Sequence, residues 1–185
     1  MILSTFIFYI FSASAILFYG IGIKDLLLVI DNPKKVSFFV LKTLLTSIFT
    51  VLVTWFISTH VLVPVSLADI YPFFLIFICL TFSILFTFLF KLLLKIEIKE
   101  FTISFFISFI AINEGVNLVF ALLITISSVL SFYLLIPLFY SIKKRINNSM
   151  ANVNFKSGVL ILLSIAIILL LVFTYNISWF NFEVV

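Results

Sequence analysis

Charge is what this sequence has least of. Only 10% of its 185 residues are Asp, Glu, Lys or Arg, while 65% are hydrophobic and the mean hydropathy is +1.43. Soluble domains carry about 25% charged residues, so this shortage excludes an ordinary water-soluble globule and makes lipid the natural solvent. Cysteine is nearly absent too. Cys79 stands alone, which rules out an internal disulfide framework and any CxxC pair. Four glycines supply no phosphate-binding loop, no HExxH occurs, and the lone His60 completes no plausible Ser/His/Asp set. A chain that catalyses a reaction by itself is therefore not expected. The formal net charge is +4, but the charges lie in short clusters between apolar runs and form no basic face for nucleic acid. The alternation of lipid-facing barrel strands is also missing.

What remains is a series of long apolar runs. The first is Ile2–Ile23; Lys24-Asp25 interrupts it, Leu26–Ile30 resumes it, and Asp31-Asn32-Pro33-Lys34-Lys35 closes it with turn chemistry. Without a charged region ahead of it or a small-residue cleavage site, Met1–Ile23 reads as a retained span rather than a signal peptide. The second span runs from about Val36 to Leu62, and Val63-Pro64-Val65-Ser66 with Asp69 forms the next connection. The third is Tyr71–Leu94, followed by the charged stretch Lys95–Glu100. Spans four and five share Phe101–Ile142, which holds the polar insert Asn113-Glu114-Gly115-Val116-Asn117. Lys143 through Lys156 is the longest polar connection, and span six is about Ser157–Tyr175. Backbone groups inside lipid must be satisfied within each segment, so the spans are helical.

The expected fold is an all-α integral membrane protein: one transmembrane domain over 1–185 with six helices. Lys34, Lys35, Lys42, Lys91, Lys95, Lys99, Lys143, Lys144, Arg145 and Lys156 all flank the first, third and fifth connections; only Lys24 falls outside this pattern. By the positive-inside rule these connections face the cytoplasm and both termini face outside. The chain divides near residue 96 into halves of three spans, 1–95 and 96–185. An odd number per half makes their orientations opposite, as in inverted-topology repeats.

Three of the four glycines mark two interruptions at corresponding places: Gly20 and Gly22 beside Lys24-Asp25, and Gly115 beside Asn113-Glu114. Gly-interrupted apolar segments in matching positions point to a site in a repeat-built membrane protein. Charge at the bilayer centre costs roughly 2.5–3.5 kcal/mol on insertion scales and usually faces the bundle interior. In one reading Lys24, Asp25 and Glu114 converge near a pseudo-twofold axis, with helices 1 and 4 interrupted there. In the other, Lys24 and Asp25 lie at the cytoplasmic interface, with Lys24 snorkelling, and Glu114 caps the outer end of span four. Cys79 reads as a buried inert thiol, His60 as an interfacial structural residue, and Trp55, Trp179, Tyr71 and Tyr175 as interface-belt aromatics. Pro137 is expected to kink span five, and Lys143-Lys144-Arg145 to anchor topology.

Several short segments resemble one family in order and spacing. Tyr19-Gly20-Ile21-Gly22-Ile23 is similar to an "FLGLC" region in the first span of that family, and Pro33-Lys34-Lys35 to its following "SKK". Thr54-Trp55 with His60-Val61-Leu62-Val63-Pro64 resembles a "W…ILIPL" segment, and Ser108–Glu114 resembles "PLITTNC". Ile142-Lys143-Lys144-Arg145 resembles "IRER", and Phe155-Lys156-Ser157-Gly158 resembles "FRG". The family is the RnfA/NqrE type of six-helix membrane subunit in Rnf and Nqr ion-translocating electron transport complexes. The resemblance implies a multi-pass protein of a bacterial inner membrane. It also implies a homologous partner subunit of opposite topology, other subunits of the complex, and electron flow coupled to Na⁺ or H⁺ movement. In the family one cysteine per half shares a 2Fe–2S cluster with the partner. Such clusters need thiolate or imidazole ligands, and the matching positions here read Lys24 and Glu114. The resemblance thus implies the scaffold and the ion path, with no cluster bound by this chain alone and a facing Lys24–Glu114 pair in its place. The competing expectations are a small-solute or ion transporter on the same fold and a purely structural membrane subunit.

Overall fold

The computed structural model describes residues 33–95 and 100–149, together with Phe6, Tyr9, Ile10, Leu163, Ser164, Ala166, Ile167 and Leu170. These residues are helical or in turns, without strand. Helix α1 spans Pro33–Ile57 and widens into a π-helical end at Ser58–Leu62. Proline suits the first helical position because its missing N–H would have no partner there. A turn through Ser66, whose φ is 58°, leads to a short 3₁₀ turn at Ala68–Ile70. Helix α2 spans Tyr71–Leu94, with Pro72 in its first turn. It stops at Lys95, which takes the left-handed conformation and donates its N–H to the Lys91 carbonyl. Helix α3 is Phe101–Glu114, and helix α4 is Leu118–Ser149.

Three helical stretches are long and apolar enough to cross a membrane: Lys35–Leu62, Ala68–Leu93 and Leu118–Arg145. These agree with spans two, three and five, and α2 has the limits expected for span three. The described chain is thus an all-helical, membrane-embedded protein. Helix α3 differs: its 14 residues extend about 21 Å, short of a hydrocarbon core about 30 Å thick. Helix α4 runs through Pro137 without ending there.

The packing explains how so short a helix is held. Helices α1 and α3 pack against each other, and α2 and α4 flank this central pair, each touching both. Successive helices alternate in direction. Phe38 meets Phe90, and Phe49 meets Phe82 and Phe86, along the antiparallel α1–α2 pair. Phe39 stacks on Phe132 at 5.5 Å between α1 and α4. Large apolar side chains also cover the outside: Phe73, Phe77, Ile84, Phe88 and Leu92 on α2 are all exposed, the surface expected of a helix bathed in acyl chains. The buried face carries the polar groups instead. Thr43, Thr46, Ser47, Thr50 and Thr54 follow one stripe of α1, and Ser104 and Ser108 one stripe of α3. Hydroxyls are tolerated there because they donate to the carbonyl one turn back, as Thr43 does to Phe39 and Ser47 to Thr43.

Candidate functional site

The most polar point of the interior lies where α1, α2 and the start of α3 meet. Lys42 and Glu100 have fully buried side chains, and Lys42 Nζ lies 2.5 Å from Glu100 Oε2. The other carboxylate oxygen, Oε1, accepts from Thr46 Oγ at 3.1 Å and Ser83 Oγ at 3.2 Å. Lys42 Nζ also donates to Thr87 Oγ at 2.8 Å, and Thr87 passes its own hydrogen to the Ser83 carbonyl at 2.6 Å. One carboxylate, one ammonium and three hydroxyls from three helices are therefore linked in one network. Each element has a reason to put its group there. Lys42 is about nine residues, or ~13 Å, along α1 from Pro33, directly beside the Thr/Ser stripe. Ser83 and Thr87 are one turn apart on α2. Glu100 is the N-cap residue of α3; its side chain accepts no capping hydrogen bond, but it lies at the positive end of that helix, a favourable place for a carboxylate.

This arrangement revises one sequence reading: Lys42 is not one of the basic residues flanking the first connection. Glu100, the last residue of the charged stretch after span three, is buried as well. Both are interior. An isolated buried charge is strongly disfavoured, and here each charge satisfies the other. The basic asymmetry persists without Lys42: Lys35 opens α1, Lys95 follows α2, and Lys143, Lys144 and Arg145 lie near the end of α4, all at one end of the antiparallel bundle.

Polar groups continue away from this pair. Ser104 and Ser108 follow Glu100 at successive turns of α3, and Ser108 Oγ donates to the Ser47 carbonyl at 3.5 Å. Cys79 is buried beside Thr50 on the neighbouring helix. Ser104 Oγ, Ser128 Oγ and Thr54 Oγ are buried without a hydrogen-bond partner.

At the far end of α3 are the residues singled out from the sequence. Asn113 and Glu114 are exposed, and Gly115 ends the helix with its N–H on the Ala111 carbonyl. The phenol of Tyr9 donates to Glu114 Oε2, and Tyr71 donates to Asn113 Oδ1 at 3.4 Å. Gly115 is required by space. A Cβ there would lie 2.5 Å from the Ala111 carbonyl oxygen and 2.7 Å from Ala121 Cβ, so the α3–α4 hairpin closes only over a bare backbone. Gly20, Gly22, Lys24 and Asp25 lie outside the described residues. His60 is exposed in the π-helical end of α1, stacked on Phe56 at 4.5 Å.

The buried pair had one readable signal. Lys42 sits next to a row of hydroxyl residues at Thr43, Thr46, Ser47, Thr50 and Thr54, the spacing of a single helix face. In an apolar helix such a face turns inward. Nothing local marked Glu100. No family model matches this chain, and neither curated proteins nor solved structures show a significant match to it.

Proposed function

We propose that this protein is a membrane subunit through which a monovalent cation or a proton moves, acting as ion path and scaffold in an electron transport complex of the Rnf/Nqr kind. The observation that carries this reading is the buried Lys42–Glu100 pair, set among hydroxyls and continued by Ser104 and Ser108 along α3. Intramembrane ionisable residues facing a bundle interior are the usual markers of ion pathways. The resemblance in order and spacing supports the choice of complex, and the collection of basic residues at one end supports a cytoplasmic placement of that end. The hairpin end with Asn113 and Glu114 would then be the opposite mouth, where Lys24 and Asp25 are proposed to contribute. Iron–sulfur ligation is not proposed for this chain.

The test is cation flux in proteoliposomes, with and without whatever membrane subunits co-purify in mild detergent. Glu100→Gln should lower flux at least about tenfold while the protein still folds. A structural subunit is the competing reading, in which the pair only clamps three helices. Replacing both residues with Met separates the two. A clamp tolerates well-packed apolar replacement of a buried pair, so unchanged flux in the double variant favours the clamp, and lost flux in a folded double variant favours the path.

A further inference from the structure

We propose that the outward face of α4 at the basic end of the bundle docks one anionic phospholipid, with the phosphate on Lys144 and Arg145 and the ester region on Tyr140. This goes beyond the ion-path reading and holds whatever moves through the bundle.

Helical spacing sets the face. Phe132 and Phe139 of α4 are buried in the core, so the opposite side of that helix turns outward. Two neighbouring stripes lie there. One is Tyr133, Pro137, Tyr140 and Lys144, and the other is Leu134, Leu138, Ser141 and Arg145. Alternating steps of four and three residues keep each stripe on one line. Every side chain in both stripes is exposed. Each stripe reads in the same order toward the basic end: apolar bodies, then a hydroxyl, then a cation. A phospholipid has that order too, in its acyl chains, glycerol esters and phosphate. The lengths also agree. From Tyr133 to Lys144 the helix rises ~16 Å, and one leaflet supplies about half of a hydrocarbon core ~30 Å thick. Tyr140 is one turn, ~6 Å, from Lys144. The Ser141 hydroxyl already donates to the Leu138 carbonyl at 2.8 Å. The Tyr140 phenol is thus the donor for an ester carbonyl, with its ring among the chains and its hydroxyl at their polar boundary.

Charge selects the headgroup. Lys35, Lys91, Lys95, Lys144 and Arg145 are exposed at this end. The described carboxylates are Asp69 and Glu114 at the opposite end and Glu100, which is buried on Lys42. A cationic rim of this kind attracts anionic lipid. The end of α2 shows a plain topology anchor by contrast. Its stripe Phe88, Leu92 and Lys95 is equally exposed, but passes from apolar side chains to a cation with no hydroxyl between them.

The experiment uses the full chain, delipidated in mild detergent and titrated with phosphatidylglycerol or with phosphatidylcholine of the same acyl chains. Native mass spectrometry counts bound lipid, and thermal unfolding follows the rise in Tm. Phosphatidylglycerol should fill one site and raise Tm, with phosphatidylcholine about thirtyfold weaker. Glycerol phosphate, which lacks chains, should have no effect. Lys144→Gln with Arg145→Gln should remove about thirtyfold of the phosphatidylglycerol affinity, about fivefold per charge, and leave phosphatidylcholine unchanged. Tyr140→Phe should weaken both lipids alike, by about threefold. The charge-keeping exchange Lys144→Arg with Arg145→Lys should retain the preference, and so should Lys91→Gln with Lys95→Gln on α2. Equal binding of the two phospholipids by the unaltered protein overturns the proposal. So does a preference that survives removal of both α4 charges, or one that the α2 variant abolishes. Stabilisation by glycerol phosphate would make this a free-anion site, and a lipid-free dimer that depends on Tyr140 and Lys144 would give the face to a second copy. Either result also overturns it.

Discussion

Helix α3 carries a carboxylate at each end, and the two are handled in opposite ways. Glu100 is fully buried against an ammonium and two hydroxyls. Glu114 is exposed and takes a phenol from Tyr9. Their sequence settings suggest the reverse, since Glu100 follows Lys95-Ile96-Glu97-Ile98-Lys99 and Glu114 lies in a long apolar stretch. In a membrane protein the charge of the neighbouring residues does not report burial. What matters is whether a side chain points at another helix, and α3 begins inside the bundle and ends at its edge.

The comparison is broken most severely at the buried end. Glu100→Ala or Lys42→Ala leaves one charge without its partner, which should cost about 3–5 kcal/mol; thermal unfolding in detergent measures it. The double Met variant should recover most of that loss, and no recovery would show that the two side chains do not act as a pair. Next comes the hairpin. Gly115→Ala must push both the Ala111 carbonyl and Ala121 away from the new Cβ, at about 1–3 kcal/mol, and should lower Tm. At the exposed end, Tyr9→Phe or Glu114→Gln should cost less than about 1 kcal/mol, because water or headgroups replace a hydrogen bond lost at the surface. The opposite-charge hypothesis for that end is sharpened by exchange: Lys24→Glu should impair assembly, and adding Glu114→Lys should restore part of it. Absence of rescue argues against direct pairing. The smallest effect is expected from Thr54→Ala, since its buried hydroxyl has no partner to lose; stability should stay within about 0.5 kcal/mol or rise slightly.

Much of the fold was readable before any coordinates. Helix α2 covers Tyr71–Leu94, the limits expected for span three, and Gly115–Asn117 joins two helices because Gly115 allows the backbones to touch. Helix α1 runs on past Ile57 through a π-helical end to Leu62, in keeping with the expected second span. The site was far less readable. Lys42 shares the basic character of Lys34 and Lys35 at the start of the span, and sequence position alone does not separate a topology residue from an interior one. The Thr/Ser stripe beside it was the better guide. Glu100 pairs with a residue on another helix far away in sequence, and no local pattern encodes that meeting.

Composition and apolar run length alone were enough to decide that this chain lives in lipid, that its described segments are helical, and where the long ones turn. Those properties are local, because each helix satisfies its own backbone and each run either matches the bilayer or does not. Only the tertiary structure decided which charges are interior. That choice depends on α1 and α3 lying side by side with Ser83 and Thr87 facing them, and the free energy of a buried charge is set by the atoms around it rather than by its neighbours along the chain.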